Sequence, residues 1–219
     1  MSRVLIVPAA GAGSRLGGDV PKILVPVAGR RMLDRLIDLY RPFAETIVVV
    51  AHPSFSARLT GPFAVVEQHE RTGMLDAVLL GMDAVRRTRP DEVWVTWGDQ
   101  VGVLRATIER LAEVMGSATN PAAALRQRRE GDTMPPVGES DMGLFALRRG
   151  AFERDLSEYA AGVERGRGTG ERNFVPFIPW LAQRAPVETF PCTDEREAIG
   201  INTPDELRMM EAWLVTRTA

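Results

Sequence analysis

Short runs of apolar, mostly β-branched residues alternate along this chain with segments whose apolar residues recur at helical spacing. The runs predict strands and the periodic segments predict helices. The predicted strands are residues 4–7, 46–51, 63–67, 92–97, 122–125 and 142–147. The predicted helices are residues 32–40, 74–87 and 107–115, and a last helix that begins at Thr203-Pro204. Strands interleaved with helices predict βαβ units in a mostly parallel sheet that is covered on both faces.

Three segments interrupt this alternation. Residues 126–139 and 162–170 are polar and contain glycine or proline, which predicts flexible loops. Residues 173–183 contain Pro176 and Pro179, so a helix there should be short or begin late. The sequence contains no internal repeat and no linker long enough to separate two independent domains.

Composition excludes several classes of protein. With 219 residues, 45% hydrophobic and 26% charged, the chain has ordinary globular composition rather than that of a disordered protein. A net charge of −2 argues against a nucleic-acid partner, which usually selects a basic surface. The apolar runs are far shorter than the roughly 20 residues of a membrane span, the N-terminus has no signal-peptide pattern, and Cys192 has no partner for an internal disulfide. We therefore expect a cytoplasmic protein without a membrane partner.

The N-terminal segment carries the most informative chemistry. The predicted first strand is followed by a loop of small residues with glycines at Gly11 and Gly13, which lets a ligand approach the backbone closely. Arg15 and Lys22 then place two cations beside the free N–H groups of this loop, an arrangement suited to a polyphosphate. The dinucleotide-binding fingerprint is not met because Leu16 stands at its third glycine, and no P-loop lysine follows.

The composite of this loop, Arg15, the Pro21-Lys22 pair and the turn 27–33 resembles the sugar-1-phosphate nucleotidylyltransferases. Within that family it is most similar to the pyrophosphorylase domain of the N-acetylglucosamine-1-phosphate uridylyltransferases. The resemblance implies an α/β fold: a Rossmann-like, doubly wound, mostly parallel (mixed) sheet with helices on both faces. It also implies a single nucleotidylyltransferase domain over residues 1–219, with the acceptor-binding loops mainly within 126–200.

The resemblance assigns nucleotide-binding and catalytic residues. It implies that Arg15 and Lys22 are catalytic and that the loop and the 68–73 segment bind the nucleotide through Ala9, Ala10, Gly11, Ala12, Gly13, Gln68 and Gly73. A glutamine suits base reading because its amide both donates and accepts. The chain departs from the family's frequent Gly-Thr-Gly, since it has Arg71-Thr72-Gly73 there.

Asp99 follows a buried strand, and the carboxyl ends of strands in open α/β sheets are where ligands bind. A carboxylate facing a triphosphate needs a cation between them, so Asp99 is interpreted as a Mg²⁺ ligand. The resemblance implies that Asn202, in Gly200-Ile201-Asn202, is the second protein ligand. It also suggests, more weakly, that Trp97 and Glu171 contact the acceptor.

The predicted function is Mg²⁺-dependent transfer of a nucleoside monophosphate from a nucleoside triphosphate to a sugar 1-phosphate, with release of pyrophosphate. Two alternatives stay open at this point: a cytidylyltransferase that acts on an alcohol or polyol phosphate, and a non-catalytic nucleotide-binding regulator of the same fold. The expected partners are a nucleoside triphosphate and a phosphorylated small molecule. The sequence leaves the acceptor, the preferred base and the oligomeric state open.

Overall fold

A computed structural model describes residues 1–11, 13–17, 20–117, 122–127, 139–166 and 170–218. Its main sheet has seven strands in the order β5-β4-β1-β6-β8-β7-β9, and a two-stranded hairpin joins β2 and β3. The strands are Arg3–Pro8 (β1), Pro26–Val27 (β2), Arg30–Arg31 (β3), Thr46–Ala51 (β4), Ala64–Glu67 (β5), Glu92–Thr96 (β6), Ala122–Gln127 (β7), Glu139–Arg148 (β8) and Glu188–Pro191 (β9).

The α-helices of the described chain are Met32–Tyr40 (α1), Pro53–Ser56 (α2), Met74–Leu80 (α3), Met82–Thr88 (α4), Arg105–Ser117 (α5), Leu156–Gly162 (α6), Phe177–Ala182 (α7) and Pro204–Thr218 (α8). Short 3-10 turns occur at Ser14–Leu16, Lys22–Leu24 and Glu195–Ala198, and a π-helix at Ala151–Asp155 precedes α6. Within the described ranges, no helix is both long enough and apolar enough to cross a membrane.

The sheet is parallel on one side and mixed on the other. β5, β4, β1 and β6 run parallel, β8 is antiparallel to both β6 and β7, and β7 pairs in parallel with β9. The predicted Rossmann-like, mostly parallel mixed sheet is thereby confirmed. The carboxyl ends of β5, β4, β1 and β6 meet at one edge of the sheet, where open α/β folds bind ligands.

Alternation along β1 explains the two layers of helices. Leu5 and Val7 pack on one face of the sheet with α1, α5 and α8, whereas Val4 and Ile6 pack on the other face with α3, α4, α6 and α7. All four side chains are fully buried or nearly so. A strand with apolar residues on both faces requires cover on both, which is the physical origin of the three layers.

The predicted strands and helices are present, with differences at their boundaries. The expected helix 74–87 is two helices, since Gly81 separates α3 from α4 and leaves no room for a Cβ against Ile6 of β1. The last helix begins as predicted: the Thr203 hydroxyl accepts from the Glu206 backbone N–H, and the Glu206 carboxylate accepts from the Thr203 backbone N–H.

Apart from the 3-10 turns, four parts of the fold were not predicted. The hairpin β2–β3, the short helix α2, the helical segment 151–162 and the edge strand β9 lack long apolar runs. The predicted loop 126–139 was too long, because residues 126–127 extend β7 and residue 139 begins β8. Residues 128–138, and 167–169 within the predicted loop 162–170, lie outside the described residues.

Candidate functional site

A cavity of about 260 Å³ opens at the carboxyl ends of β1, β5 and β6. It is lined by nine of the residues that the sequence pointed to: Ala9, Ala10, Gly11, Lys22, Gln68, Gly73, Trp97, Asp99 and Glu171. These residues come from segments far apart in the chain, and the order of the strands brings them together. The cavity is therefore the candidate ligand site.

The loop after β1 enters the cavity between two neighbouring strands. The backbone N–H of Ala9 donates to the Val50 carbonyl, and the N–H of Gly98 donates to the Pro8 carbonyl. Gly13 has a φ of +65°, and a Cβ built on it would lie 2.7 Å from Cβ of Lys22. Only glycine permits this close approach of the loop to the lysine. Ala12, also predicted to bind nucleotide, lies outside the described residues.

The strongest electrostatic feature is a charged cluster formed by Lys22, Asp99 and Asn202. Nζ of Lys22 donates to Oδ2 of Asp99 at 2.5 Å and to Oδ1 of Asn202 at 2.7 Å. The side chains of Lys22 and Asp99 are only 17% and 19% exposed. A carboxylate oxygen and an amide oxygen thus converge on one cation at the edge of the cavity.

Backbone contacts hold Asn202 against Asp99. The N–H of Ile201 donates to the Asp99 carbonyl at 3.2 Å, and Nδ2 of Asn202 donates to the Gly200 carbonyl at 3.0 Å. A Cβ at Gly200 would lie 3.0 Å from Oδ2 of Asp99, so glycine leaves space beside the carboxylate. The amide nitrogen of Asn202 is engaged with the backbone, and its oxygen therefore faces the cation.

Lys22 is the only lysine among the 27 lysine and arginine side chains of this sequence. An ammonium is a compact charge whose three donors can be shared among oxygens in different directions, whereas a guanidinium is a planar fork. Contact with two oxygens from two different segments suits the ammonium. The other lysine-or-arginine positions are all arginine, so the one lysine lies where the geometry requires a compact point charge.

Arg15 lies apart from the charged cluster in this ligand-free structure. It is in the 3-10 turn Ser14–Leu16, its side chain is exposed, and it is not part of the cavity lining. Of the predicted catalytic residues and metal ligands, Lys22 contacts both Asp99 and Asn202, whereas Arg15 makes no ion pair with the residues that the structure describes. Its position on an exposed turn could not be derived from the sequence.

Gln68 and Gly73 belong to one segment, residues 68–73, which connects β5 to α3. Gln68 is 5% exposed, and its Nε2 donates to the Gly73 carbonyl at 3.2 Å and to the Thr72 hydroxyl at 3.4 Å. Gly73 has a φ of +110°, and the backbone of Arg172 leaves no room for a Cβ there. Gly73 therefore has a packing role in addition to its place in the cavity wall.

Trp97 forms a wall of the cavity and packs on an aromatic cluster. Its ring lies 5.4 Å from that of Phe145 and 5.9 Å from that of Phe174, measured between centroids. Gly143 permits this packing, because a Cβ there would collide with the indole. Glu171 contributes a carboxylate to the same cavity.

Two charged groups of the site were missed from the sequence. Arg71 lines the cavity, and its Nε donates to the Ala10 carbonyl at 3.1 Å. Arg172 pairs with Asp76 of α3 and so anchors the segment that carries Glu171. Burial is the largest single influence and raises the pKa of Asp76, but hydrogen bonds from Arg172 and Thr72, together with the positive charge of Arg172 and Arg165, outweigh it and hold this pKa below its ordinary value. The sequence did carry one signal for Arg71: it replaces the first glycine of the Gly-Thr-Gly that is frequent in the resembled family.

Comparisons with known proteins agree with this geometry. A family model described as the MobA-like NTP transferase domain matches residues 5–167. The chain is 30% identical over 245 residues to the bifunctional protein GlmU of Granulibacter bethesdensis, which covers 96% of this chain and 52% of the relative. It is 34% identical over 238 residues to GlmU of Paramagnetospirillum magneticum, which covers 97% of this chain and 53% of the relative. The chain spans about half the length of the curated relatives it matches.

The family model matches the chain from Leu5 in β1 to beyond α6. The match therefore includes the loop after β1, Lys22, the 68–73 segment and Asp99. The resemblance inferred from the N-terminal motifs is confirmed. Because the match extends over most of its length, the chain belongs to the family of MobA-like NTP transferases.

Proposed function

We propose that this protein transfers a nucleoside monophosphate from a nucleoside triphosphate to the phosphate of a sugar 1-phosphate, with Mg²⁺ and with release of pyrophosphate. The observation that carries the proposal is the charged cluster: Lys22 joins Asp99 to Asn202 beside a small-residue loop at the carboxyl edge of the sheet. Two mutually repelling phosphoryl groups require cations at one place, and this arrangement would supply two: the ammonium of Lys22 and a Mg²⁺ held by Asp99 and Asn202.

The nucleotide is proposed to lie between the loop after β1 and the 68–73 segment. The loop 9–13 is proposed to contact its ribose and phosphates; because the N–H of Ala9 is engaged by the Val50 carbonyl, backbone donors would come from the residues after it. Gln68 and Gly73 contact its base. The support is that all described members of this set except Gly13 line one cavity, and that Gly13 fixes the loop against Lys22. Arg15 is assigned to the β- and γ-phosphates, which it would reach from its exposed turn.

The donor chemistry of the charged cluster fits a divalent ion. Asp99 and Asn202 offer two hard oxygen ligands already directed at one cation, and Gly200 leaves room beside the carboxylate. Mg²⁺ prefers oxygen ligands and commonly completes its shell with water and substrate phosphates. Asp99 and Asn202 are therefore proposed to hold Mg²⁺, which would neutralise charge on the phosphates when bound.

The reaction itself needs no general base, since a phosphate monoester already presents a nucleophilic oxygen at neutral pH. That oxygen attacks the α-phosphorus, a new P–O bond forms, and the bond to the bridging oxygen of the β-phosphate breaks. The electron pair leaves with pyrophosphate. Lys22 would hold the α-phosphate and the acceptor phosphate close together, so catalysis consists of positioning and charge stabilisation.

The sugar is assigned to the region of Trp97 and Glu171, of which Glu171 belongs to the acceptor-binding part of the chain expected mainly between residues 126 and 200. An indole ring offers a flat apolar wall and a carboxylate accepts hydrogen bonds from sugar hydroxyls. The support is that Trp97 and Glu171 line the same cavity as Lys22 and Asp99. Other phosphorylated alcohols share the phosphate chemistry, so the acceptor is decided by assay.

The test is a pyrophosphate-release assay with UTP, CTP, GTP and dTTP, each against a panel of sugar 1-phosphates and alcohol phosphates, with and without Mg²⁺. We expect Mg²⁺-dependent release with a sugar 1-phosphate, and release slowed roughly 10²- to 10³-fold in Asp99→Asn. Release with an alcohol or polyol phosphate alone would contradict the acceptor assignment. Nucleotide binding without release across the whole panel would identify a non-catalytic regulator instead.

A further inference from the structure

Arg71 connects two walls of the cavity. Its backbone belongs to the 68–73 segment, while its Nε donates to the carbonyl of Ala10 in the loop after β1. Nε is part of the guanidinium group, so this 3.1 Å contact places the charged group itself at the cavity wall. The side chain therefore lies where the loop and the 68–73 segment meet at the wall of the cavity.

The charges of the cavity lining leave Arg71 available for a ligand. Lys22 is paired with Asp99, whereas Arg71 makes no ion pair with any residue the structure describes. A guanidinium has five N–H donors, and the Ala10 carbonyl accepts from one of them. Donors remain for an acceptor on the ligand, and an arginine fork holds such an acceptor in a defined direction.

Gln68, in the same segment, supplies a hydrogen-bond acceptor, whereas Arg71 supplies donors. Nε2 of Gln68 is directed to the Gly73 carbonyl, which can only accept, so the amide orientation is fixed. No described residue donates to Oε1 of Gln68. The 68–73 segment thus offers one acceptor, Oε1 of Gln68, beside the donors of Arg71, and the edge of a nucleobase carries donors and acceptors side by side.

We propose that Arg71 is a specificity-determining nucleotide-binding residue, which donates from its guanidinium to an acceptor atom on the nucleobase while the Ala10 carbonyl fixes its position. The inference rests on the proposed function, because that function places the base at the 68–73 segment and the phosphates at the charged cluster. Arg71 acts on the base end of the nucleotide and not on the transferred phosphate.

The experiment measures binding by calorimetry to the full chain and to Arg71→Ala, Arg71→Lys and Arg58→Ala. The titrants are UTP, CTP, GTP and dTTP separately, and inorganic triphosphate, which has no base. Arg58 is the matched control, since it is exposed between α2 and β5 and does not line the cavity. Steady-state kinetics separate the KM for the nucleotide from kcat at saturation.

We expect Arg71→Ala to weaken binding of the preferred nucleotide about tenfold or more, the range for loss of a charged hydrogen bond. Binding of inorganic triphosphate and kcat should change less than about threefold. Arg71→Lys should resemble the alanine variant, because a single ammonium cannot hold the Ala10 carbonyl and a base together. Arg58→Ala should behave as the unmodified protein.

Three results would overturn the inference. Equal weakening of nucleotide and inorganic triphosphate binding would make Arg71 a phosphate contact or a support of the loop. Unchanged nucleotide binding in Arg71→Ala, with the parent protein binding normally, would remove Arg71 from the site and leave the proposed function standing. A parent protein that binds none of the four nucleotides would overturn both.

Discussion

The charged cluster is built from side chains drawn from distant parts of the sequence, whereas the 68–73 segment is one short stretch whose polar side chains are held by backbone carbonyls. Lys22, Asp99 and Asn202 contact one another directly and are partly buried. Arg71 and Gln68 instead form hydrogen bonds to backbone carbonyls and keep polar atoms for a ligand. The charged cluster is suited to binding the phosphates, which all nucleotides share. The 68–73 segment is suited to binding the base, which differs between nucleotides.

The largest effect is expected at the charged cluster. Asp99→Asn keeps the shape of the side chain but removes the charge that faces Lys22, and we expect kcat to fall roughly 10²- to 10³-fold. Lys22→Arg should also lose activity, since a planar guanidinium cannot replace the ammonium that contacts both Asp99 and Asn202. Pyrophosphate release measures the rate and circular dichroism checks the fold. A kcat within a few-fold of the parent for Asp99→Asn would contradict the role of the cluster.

A second prediction distinguishes the ammonium of Lys22 from the metal ion that is proposed to bind the same two oxygens. Lys22 engages both oxygens proposed to bind the metal. Lys22→Met removes that competitor, so Mn²⁺ should bind more tightly to this variant than to the parent protein when nucleotide is absent. Electron paramagnetic resonance of free Mn²⁺ measures the affinity, and Arg58→Met is the control. Weaker Mn²⁺ binding in Lys22→Met would show that the metal does not use these oxygens.

A third prediction concerns the glycine that fixes Lys22. In Gly13→Ala the new Cβ would meet the lysine stem, so Lys22 must shift, and we expect a loss of roughly 10- to 100-fold in kcat/KM. Gly17→Ala is a matched control, because Gly17 also has a positive φ but nothing lies within 4 Å of its Cβ position. Equal losses in both variants would mean that backbone strain, and not displacement of Lys22, is responsible.

A smaller effect is expected for the acceptor. Glu171→Gln removes a charged hydrogen-bond acceptor from the cavity, so the KM for the sugar 1-phosphate should rise about tenfold while the KM for the nucleotide stays constant. The control is Glu164→Gln, which changes an exposed carboxylate outside the cavity lining. A rise in the nucleotide KM alone would place Glu171 at the wrong substrate.

The smallest effect is on stability and depends on pH. Burial raises the pKa of Asp76, but the hydrogen bonds and positive charges around it, those of Arg172 foremost, together outweigh burial and lower this pKa in the folded protein. A lowered carboxyl pKa stabilises the fold above the unfolded value of about 3.9 and loses this contribution as pH falls through the folded value. Asp76→Asn should therefore have a lower Tm than the parent protein at pH 7, by a few degrees. The difference should narrow toward pH 3; a gap that widens in acid contradicts the ion pair.

The same contrast explains what could be predicted from the sequence. Buried strands such as β1 and β4 are continuous apolar runs, and the ends of parallel strands meet at one edge, so Lys22 and Asp99 could be placed at a common site. The hairpin β2–β3 and the edge strand β9 are too short to show a periodic pattern, and their structure depends on neighbours that the pattern does not reveal. Arg71 and Arg172 gain their roles from contacts with Ala10 and Asp76, which are distant in sequence.

The most direct test of the charged cluster is a crystal structure with Mn²⁺ and a non-hydrolysable nucleoside triphosphate, in which anomalous scattering locates the metal. We expect the peak within coordination distance of the side-chain oxygens of Asp99 and Asn202, with Nζ of Lys22 moved from those oxygens to a phosphate. A metal bound elsewhere, with Lys22 still joined to both residues, would contradict the account.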